Sequence, residues 1–221
     1  MDNDKEAFEK TYEKPNAVWT SKNPPEELVE LIESGKIKPC KVLDVGCGEG
    51  FYSIYLAKKG FEVIGIDISE RAINYAKQNA EEAGVKIKFL AMDVRDLGKL
   101  DEKFEFILEW ALLHSVMLKD RKKYVEDITD LLNNDGKYLS VCFNEKDSKF
   151  GGPKQGERII PEESRAIIGA RLYFSSLSEL KELFNPYFKI IESKIFENIS
   201  GGKISTWNYF FMEKLPNKSM P

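Results

Sequence analysis

The sequence predicts an α/β fold built on an open, mostly parallel β-sheet with helices on both faces. Three observations predict it: short apolar runs alternate with helical patterns, a glycine-rich turn follows the first run, and two long alternating runs close the chain. Each helical crossover returns the chain in the same direction, so successive strands lie parallel in one sheet. We therefore expect a doubly wound, seven-stranded sheet that ends in a C-terminal antiparallel hairpin.

The individual elements follow from local patterns of apolar and capping residues. An Asn-Pro-Pro sequence at 23–25 predicts the start of the first helix, with Asn23 as its cap and Gly35 as its end. Ser69 is the expected cap of a later helix, and residues 176–179 are expected to start another. The predicted helices cover approximately residues 24–34, 50–59, 69–83, 124–132 and 176–184. The predicted strands cover residues 41–45, 61–66, 85–90, 104–108, 137–143, 188–196 and 204–212.

The chain is expected to be a single domain, residues 1–221, because no linker or low-complexity tract divides it. Residues 1–35 are expected to form an N-terminal cover and a helix, and residues 41–143 the binding core. Residues 144–174 are rich in glycine and charge, and are longer than a plain connection, so they are predicted to be irregular and to form a second cover. Residues 175–215 supply the last helix and the hairpin.

The composition excludes several classes of protein. Hydrophobic residues make up 42% of the chain and charged residues 32%, which is typical of a globular protein. The net charge of −4 gives no basic field for nucleic acid, and no apolar run is long enough to span a membrane. Three cysteines without a C-x-x-C motif, a single histidine and the lack of a signal-peptide pattern predict a reduced, cytoplasmic protein with no metal site.

The most informative stretch is residues 42–50, which read VLDVGCGEG. A strand that runs into a glycine-rich turn and then a helix is the nucleotide-binding crossover of this fold class. Gly46, Gly48 and Gly50 let the backbone approach a ligand that side chains would exclude, with Cys47 between them. We therefore predict that this turn binds a ligand, rather than serving only as a tight connection.

The same stretch argues against a dinucleotide. The dinucleotide fingerprint G-x-G-x-x-G needs a glycine at position 51, where this chain has Phe51. Asp44 and Glu49 place acids at the turn instead. Because acids repel a phosphate, they favour a ligand that carries an ammonium or sulfonium group.

Two further acids follow the second and third predicted strands. Asp67, with Ile68 beside it, lies 21 residues after Gly46, where an acid accepts both hydroxyls of a ribose. Asp93 could accept an adenine amino group while the Val94 N–H donates to the ring. Each aspartate could instead be a helix cap or a solvated loop residue. Their joint spacing from the glycine turn favours an adenosyl ligand.

Taken together, these motifs resemble the class I S-adenosylmethionine-dependent methyltransferases. The resemblance covers residues 41–143, and the element order through Met212 agrees with it. It implies a Rossmann-like fold with S-adenosyl-L-methionine as cofactor. It further implies that residues 42–50 are the first cofactor-binding motif, that Asp67 binds the ribose, and that the 93–94 pair contacts the adenine.

Shorter patterns resemble one subgroup, the thiopurine, thiol and halide methyltransferase-like enzymes. They are Trp19 before the core, residues 54–57 after the glycine turn, His114 after the fourth strand and residues 142–143 at the end of the fifth. This resemblance implies a small-molecule acceptor with a thiol or another soft heteroatom nucleophile.

The segment after the fourth strand, residues 108–114, bears on the acceptor. It lacks the D/N-P-P-Y/F signature of methyltransferases that act on adenine amino groups, so base methylation is not expected. His114 is either a general base or a histidine that the backbone satisfies at a helix start. Glu109 either contacts the methionine end of the cofactor or is a surface acid. Trp110 is either a packing residue or a cation–π surface beside the sulfonium.

The two covers are expected to enclose the acceptor. Arg158, Arg165 and Arg171 in the second cover could meet an anionic acceptor, or they lie on a solvated surface helix. Tyr12 and Trp19 are expected to form the other half, with Trp19 as a stacking surface beside the cofactor; a frayed polar terminus is the alternative.

The sequence thus predicts a methyltransferase that acts on a small molecule, favouring a thiol or other soft nucleophile. One alternative is a protein methyltransferase for lysine or a chain terminus, which needs an open peptide groove. A second is a non-catalytic protein that binds an S-adenosyl ligand. A nicotinamide-dependent dehydrogenase is the third, and Phe51 argues against it.

Overall fold

Seven strands form one sheet in the computed structural model, which describes residues 2–17, 19–160, 170–200 and 203–216. These strands are β1 (Lys41–Val45), β2 (Glu62–Asp67), β3 (Lys88–Ala91), β4 (Phe104–Trp110), β5 (Leu132–Phe143), β8 (Phe188–Ser200) and β9 (Lys203–Lys214). Two short strands, β6 (Gly156–Ile159) and β7 (Arg171–Phe174), pair separately as an antiparallel ribbon.

Six α-helices flank this sheet in the described part of the chain. They are α1 (Asp2–Thr11), α2 (Glu26–Glu33), α3 (Phe51–Lys58), α4 (Glu70–Glu82), α5 (Leu118–Leu131) and α6 (Leu177–Phe184). None of the helices in these described ranges combines the length and the apolar character that crossing a bilayer requires.

The strand order is β3-β2-β1-β4-β5-β9-β8. The first five strands are parallel, and β9 pairs antiparallel with both β5 and β8. The predicted doubly wound sheet with a C-terminal hairpin is therefore confirmed. The chain order reverses between β1 and β4, and in open α/β sheets ligands bind outside the carboxyl ends of the strands at such a switch point.

The core is divided by the sheet into two faces. Val42 and Leu43 are adjacent in β1 and both fully buried, because successive side chains of a strand point to opposite faces. Leu43 packs with residues of α5 and α6, including Val125 and Phe184. Val42 packs on the other side with residues of α2, such as Leu31. Helices on both faces explain why the central strands read as continuous apolar runs.

Side-chain capping accounts for the starts of α4 and α6. Ser69 Oγ accepts a hydrogen bond from the Ala72 N–H at 3.1 Å, as predicted, and Ser176 Oγ accepts one from the Glu179 N–H at 3.1 Å. The predicted cap at Asn23 is wrong, because α2 begins at Glu26 with the second proline at its N-cap position. A residue that precedes a proline is disfavoured in the helical region, so the first proline of the pair cannot start the helix.

The described parts of the segment 144–174, residues 144–160 and 170–174, are more ordered than the sequence predicts. The β6–β7 ribbon follows a short 3₁₀ turn at 149–151, and Asn144 forms an isolated parallel bridge with Ser175 at the base of the segment. Strands of four residues, separated along the chain, carry too little periodicity for a sequence pattern to reveal them. Residues 161–169, which include Arg165, lie outside the described residues.

Replacing Leu43 by alanine tests the importance of the central strand. Leu43 has no exposed surface, so Leu43→Ala should lower the free energy of unfolding by about 2–5 kcal/mol through lost burial and a residual cavity. Leu118→Ala is the matched control, because Leu118 is 48% exposed, and it should change the value by less than about 0.5 kcal/mol. Urea denaturation followed by circular dichroism measures both; equal effects would contradict the assignment of β1 to the core.

Candidate active site

The glycine-rich turn after β1 has a conformation that few other residues adopt. Gly46, Gly48 and Gly50 have φ angles of +76°, +52° and +80°, in the left-handed region that favours glycine. Two of them are also crowded: a Cβ at Gly46 would lie 2.8 Å from Leu112 Cδ1, and one at Gly50 would lie 2.9 Å from Ala76 Cβ. Backbone conformation and close packing against α4 and the loop after β4 thus both require glycine here.

Asp44 and Cys47 stabilise this turn from inside. Ser53 Oγ donates a hydrogen bond to Asp44 Oδ2 at 2.6 Å, and burial raises the pKa of Asp44 to about 7. The Cys47 thiol lies close to Gly65, 3.0 Å from the position that a Cβ would take there, and burial raises its pKa. A ligand contact stays a prediction for both residues.

Asp67 lies at the end of β2, between the glycine turn and the start of α4. Its Oδ2 accepts the Gly48 N–H at 2.9 Å, and its Oδ1 accepts the Ser69 N–H at 2.9 Å. Burial raises the pKa of Asp67 to about 6, although these two backbone bonds oppose the shift. Ile68 is half-buried beside it. The carboxylate is therefore fixed at the place from which the sequence predicts ribose binding.

Asp93 is held by a neighbouring arginine. Its carboxylate accepts the Arg95 N–H and Nε–H, each at 2.9 Å, and pairs with the guanidinium. The bond from the Arg95 side chain is the main reason that the pKa of Asp93 lies below its usual range. Asp93 thus caps the 3₁₀ helix Val94–Lys99, as one of the two sequence interpretations allowed. An adenine contact from Asp93 or Val94 stays a prediction.

Glu109 is fully buried at the end of β4, so its interpretation as a surface acid is wrong. Its Oε2 accepts the N–H groups of Leu112 and Leu113, each at 3.1 Å, and its Oε1 accepts the Ser140 hydroxyl. Burial raises the pKa of Glu109 to about 8. This acid fixes the loop that places Leu112 against Gly46, and a contact with the cofactor stays a prediction.

His114 follows in the short 3₁₀ helix Leu113–Ser115. Its Nδ1 accepts the Phe143 N–H at 3.4 Å, and its ring stacks on Phe143 with the centroids 4.4 Å apart. Burial, reinforced by the positive charges of Arg121 and Lys149, lowers the pKa of His114 to about 3. The imidazole is therefore neutral near pH 7, and the Nδ1 lone pair is occupied. The geometry matches the histidine satisfied by the backbone rather than a general base.

An aromatic cluster surrounds the end of β5. Phe143 stacks on Phe174 of β7 and on Trp207 of β9, with centroid distances of 4.9 and 4.3 Å. The half-buried ring of Phe8 from α1 packs against the same cluster. Residues of the two predicted covers therefore meet here. Trp110 does not belong to this cluster, since it packs edge-on against Tyr52 on the other face of the sheet.

The two described arginines of the second cover, Arg158 and Arg171, have protein partners of their own. Arg158 is only 3% exposed. Its guanidinium donates to four backbone carbonyls within 2.9 Å, those of Glu145, Asp147, Lys149 and Lys154. Arg171 is exposed, and its guanidinium Nη1 lies 3.7 Å from Glu157 Oε2. Arg158 therefore stabilises the ribbon, because both of its terminal nitrogens donate within the loop. The third arginine, Arg165, lies outside the described residues.

Sequence reasoning missed a second structural arginine, Arg121. It is buried on the apolar side of α5 and donates to the carbonyls of Leu113 and Val116 at 2.9 and 3.0 Å, and to Ser175 Oγ at 2.8 Å. The sequence did hold one indication of this role, because Arg121 lies one helical turn before Tyr124 and so on the same apolar face of the helix. An arginine on such a face needs buried acceptors for its N–H groups.

The N-terminal segment, residues 2–17 and 19–20, is here called the strap. Its helix α1 docks on the start of α4, where Glu9 Oε1 accepts the Glu70 N–H at 2.6 Å and Arg71 donates to the Glu9 carbonyl at 2.9 Å. A carboxylate at a helix N-terminus satisfies free N–H groups and complements the helix dipole. The alternative of a frayed terminus is therefore wrong for α1.

Glu49 connects the strap to the glycine turn. Its carboxylate accepts the N–H groups of Asn16 and Ala17, each at 3.0 Å, and the Thr20 hydroxyl at 2.7 Å. The sequence suggested that this acid would favour a cationic ligand. In the structure its hydrogen bonds go to the strap instead.

Tyr12 and Trp19 form a pair over the turn. Trp19 Nε1 donates to the Tyr12 hydroxyl at 3.0 Å, and the two rings meet edge to face. The Tyr12 hydroxyl is 3.0 Å from the position that a Cβ would take at Gly48. Trp19, 39% exposed, thus orients Tyr12 at the turn, and its predicted stacking on a cofactor stays a prediction.

Comparison with known proteins agrees with this arrangement. A family described as "Methyltransferase domain" matches residues 42–136. The chain is 32% identical over 127 residues to a 2-heptyl-1-hydroxyquinolin-4(1H)-one methyltransferase of Mycobacteroides abscessus, covering 57% of this chain and 56% of that protein. It is 34% identical over 120 residues to a ubiquinone biosynthesis O-methyltransferase of Coxiella burnetii, covering 54% and 50%. The chain thus spans about half the length of these two relatives.

Solved structures show the same fold over nearly the whole chain. A 1,6-didemethyltoxoflavin-N1-methyltransferase of Burkholderia thailandensis, with S-adenosylhomocysteine bound, superposes with a TM-score of 0.76 at 22% identity, covering 97% of this chain and 88% of that one. The N-methyltransferase NodS of Bradyrhizobium japonicum gives a TM-score of 0.72 at 15% identity, covering 97% and 100%.

Residues 42–136 thus match a methyltransferase domain, and the fold is that of a methyltransferase solved with S-adenosylhomocysteine bound. The predicted fold and cofactor are confirmed. The resemblance to the thiopurine, thiol and halide subgroup stays a prediction.

The raised pKa of Glu109 predicts a pH dependence of stability. Its folded value of about 8 lies above the unfolded value of about 4.3, so the folded state binds more protons between these values. The contribution of Glu109 to the free energy of unfolding is therefore fully present below about pH 4.3 and is lost as the pH rises to about 8. Glu109→Gln should remove this loss, so the variant should gain stability relative to the wild type between pH 5 and pH 8.

Urea denaturation at several pH values measures this difference. Glu82→Gln, at an exposed position of α4, is the control and should run parallel to the wild type. If the free energy of unfolding of Glu109→Gln also ran parallel to that of the wild type, Glu109 would be ionised in the folded protein throughout the range from pH 5 to pH 8.

Proposed function

We propose that this protein transfers the methyl group of S-adenosylmethionine to a small-molecule acceptor, a thiol or other soft heteroatom nucleophile that arrives already ionised. The observation that carries the proposal is the state of His114, whose Nδ1 lone pair is occupied by the Phe143 N–H. Glu109 is likewise engaged by three donors. An acceptor that needs no general base suits such a site, and a thiol with a pKa near 8.5 supplies thiolate at neutral pH.

The residues at the carboxyl edge fit the cofactor. A carboxylate has about four lone-pair sites, and Asp67 uses two on backbone N–H groups, so the others remain for the ribose hydroxyls. The turn 46–50 offers the close backbone approach that the methionine end requires. We assign the cofactor site to Trp19, Asp44, Gly46, Cys47, Gly48, Gly50, Asp67, Ile68, Asp93, Val94 and Glu109.

The bound cofactor supplies an electrophilic methyl on a sulfonium. In the transfer, the lone pair of the acceptor would form the new bond to the methyl carbon, and the electrons of the broken S–CH₃ bond would stay on the cofactor sulfur. A thiolate becomes a neutral thioether in this step, so no proton has to leave. The chain's own contribution is alignment of the acceptor and exclusion of water by the strap and the ribbon.

Enclosure supports a small acceptor over a peptide. Phe8 of the strap packs against the cluster that contains Phe143 and Phe174, and this contact supports enclosure of the acceptor by the two covers over an open peptide groove. The relatives point the same way, since one is named for a hydroxyquinolinone and another for ubiquinone biosynthesis. No observation favours the protein methyltransferase.

Replacing Asp67 tests the ribose contact. Asp67→Ala removes a charge-assisted acceptor and should weaken S-adenosylhomocysteine binding by about 1.5–3 kcal/mol, roughly 10- to 100-fold in Kd. Titration calorimetry measures this, with Asp101→Ala at an exposed position as the matched control. The wild type should bind with a Kd on the order of micromolar and more tightly than it binds NADH. Unchanged affinity in Asp67→Ala would make Asp67 a turn residue only.

The pH dependence of methyl transfer tests the absence of a general base. Labelled methyl transfer to thiols of different acidity should show a rising limb of kcat/KM that follows each thiol's own pKa. His114→Gln should keep that limb in place, because the histidine removes no proton. A rising limb of kcat/KM near pH 6.5 that is present in the wild type and absent in His114→Gln would identify His114 as the base.

The same assay separates the alternatives. It includes halide ions, hydrosulfide and a cell-lysate protein fraction beside the thiols. Label that appears mainly on protein would favour the protein methyltransferase. Binding without transfer to any acceptor would favour a non-catalytic S-adenosyl-binding protein.

A further inference from the structure

Glu49 lies at the centre of the contact between the strap and the glycine turn, and it is only 4% exposed. Its Oε1 accepts the Ala17 N–H at 3.0 Å and the Thr20 hydroxyl at 2.7 Å, and its Oε2 accepts the Asn16 N–H at 3.0 Å. Three of about four lone-pair sites of the carboxylate are therefore used by the strap. Little acceptor capacity remains for a cationic ligand.

The backbone of residue 49 is fixed from the opposite side. Asn79 of α4 donates from Nδ2 to the Glu49 carbonyl at 2.9 Å, and Gly50 and Phe51 begin α3 directly afterwards. The side chain is thus anchored to the rigid core, whereas its partners lie on an N-terminal segment. At this point the Glu49 carboxylate joins the strap to the core.

The strap held by Glu49 passes over the predicted cofactor site. Tyr12, 3% exposed, brings its hydroxyl to Gly48, and α1 covers the start of α4 next to Asp67. Farther along, Phe8 reaches the aromatic cluster on the acceptor side. A cofactor bound along the glycine turn would therefore lie between the sheet and the strap.

We propose that Glu49 is the latch of the strap, a positioning residue whose three hydrogen bonds must break each time the cofactor enters or the product leaves. The inference rests on the proposed function for the identity of the ligand. When these three bonds form, the Tyr12–Trp19 pair lies over the glycine turn and completes the enclosure of the ligand. The acid in the glycine turn then controls exchange of the ligand, and it acts through the strap rather than by touching the ligand.

The conservative variant Glu49→Gln discriminates between the two roles. Glutamine keeps one acceptor oxygen, but its amide group presents donors where the carboxylate presented a second acceptor. One N–H group of the strap that the carboxylate accepted would then face the amide N–H₂ of the glutamine instead of an acceptor. Loss of a charge-assisted bond should raise the open population of the strap about 10- to 100-fold.

Limited digestion with a glutamyl endopeptidase reads the open population directly. Glu13 is exposed between the Tyr12 and Glu49 contacts, and cleavage there tracks opening when the strap closes faster than it is cut. We expect S-adenosylhomocysteine to slow cleavage of the wild type. In Glu49→Gln, cleavage at Glu13 and dissociation of S-adenosylhomocysteine, measured by stopped-flow displacement, should both accelerate about 10- to 100-fold.

Two further variants serve as a graded comparison and as a control. Thr20→Val removes one donor to the same carboxylate while preserving side-chain shape, and should change both rates in the same direction by a smaller factor. Glu82→Gln, with the same chemical change at an exposed position of α4, should match the wild type.

Three results would overturn the proposal. Weaker ligand binding with unchanged cleavage at Glu13 would mean that Glu49 contacts the ligand directly. Faster cleavage with unchanged dissociation would mean that the strap does not control exchange. No change in either rate would leave Glu49 a local turn residue. Neither measurement contains an acceptor, so a failure of methyl transfer would contradict the proposed function alone.

Discussion

The parallel pairing of β1 with β4 at the middle of the sheet is the constraint on which the rest of the molecule depends. Val42 pairs with Phe106 and Val45 with Glu109, and the strand order reverses between these two strands. Their carboxyl ends consequently leave the sheet side by side in opposite directions, which opens a crevice between the two following loops. The glycine turn lines one side of that crevice, and the loop fixed by Glu109 lines the other. Burial on both faces of the sheet keeps this register unique, because a shift by one residue would turn the apolar side chains of each strand to the wrong side.

Buried carboxylates hold the loops around this crevice. Asp44, Asp67 and Glu109 are each almost inaccessible and each accept hydrogen bonds from N–H or hydroxyl groups of an adjoining segment. A buried acid with several donors is costly to remove and has few alternative partners, so it specifies one loop conformation. Their raised pKa values follow from the same burial. The positions that suggested ligand chemistry in the sequence therefore also serve to preorganise the site.

Sequence patterns predicted the features that depend on neighbours along the chain. Strand and helix periodicity, the cap at Ser69, the helix start at residues 176–179 and the glycine turn all follow from residues within one or two turns of each other. The partners of Glu49 and Arg158 could not be found in this way, because a charge does not reveal which distant backbone groups it will meet. Glu49 bonds to residues about 30 positions earlier, and Arg158 reaches carbonyls on both sides of a turn. The start of α2 was missed for a local reason, since the effect of the second proline on the first outweighs the capping preference of Asn23.

The β6–β7 ribbon carries a small apolar cluster of its own. Its side chains Ile160, Leu172 and Phe174 pack with Phe143, and the guanidinium of Arg158 stacks 3.6 Å from the centre of the Phe174 ring. This cluster is separate from the two that stabilise the central sheet. Substitutions within the ribbon therefore disturb few of the contacts that shape the glycine turn. Such an arrangement lets the ribbon diversify during evolution, as one peripheral module, while the glycine turn is inherited intact.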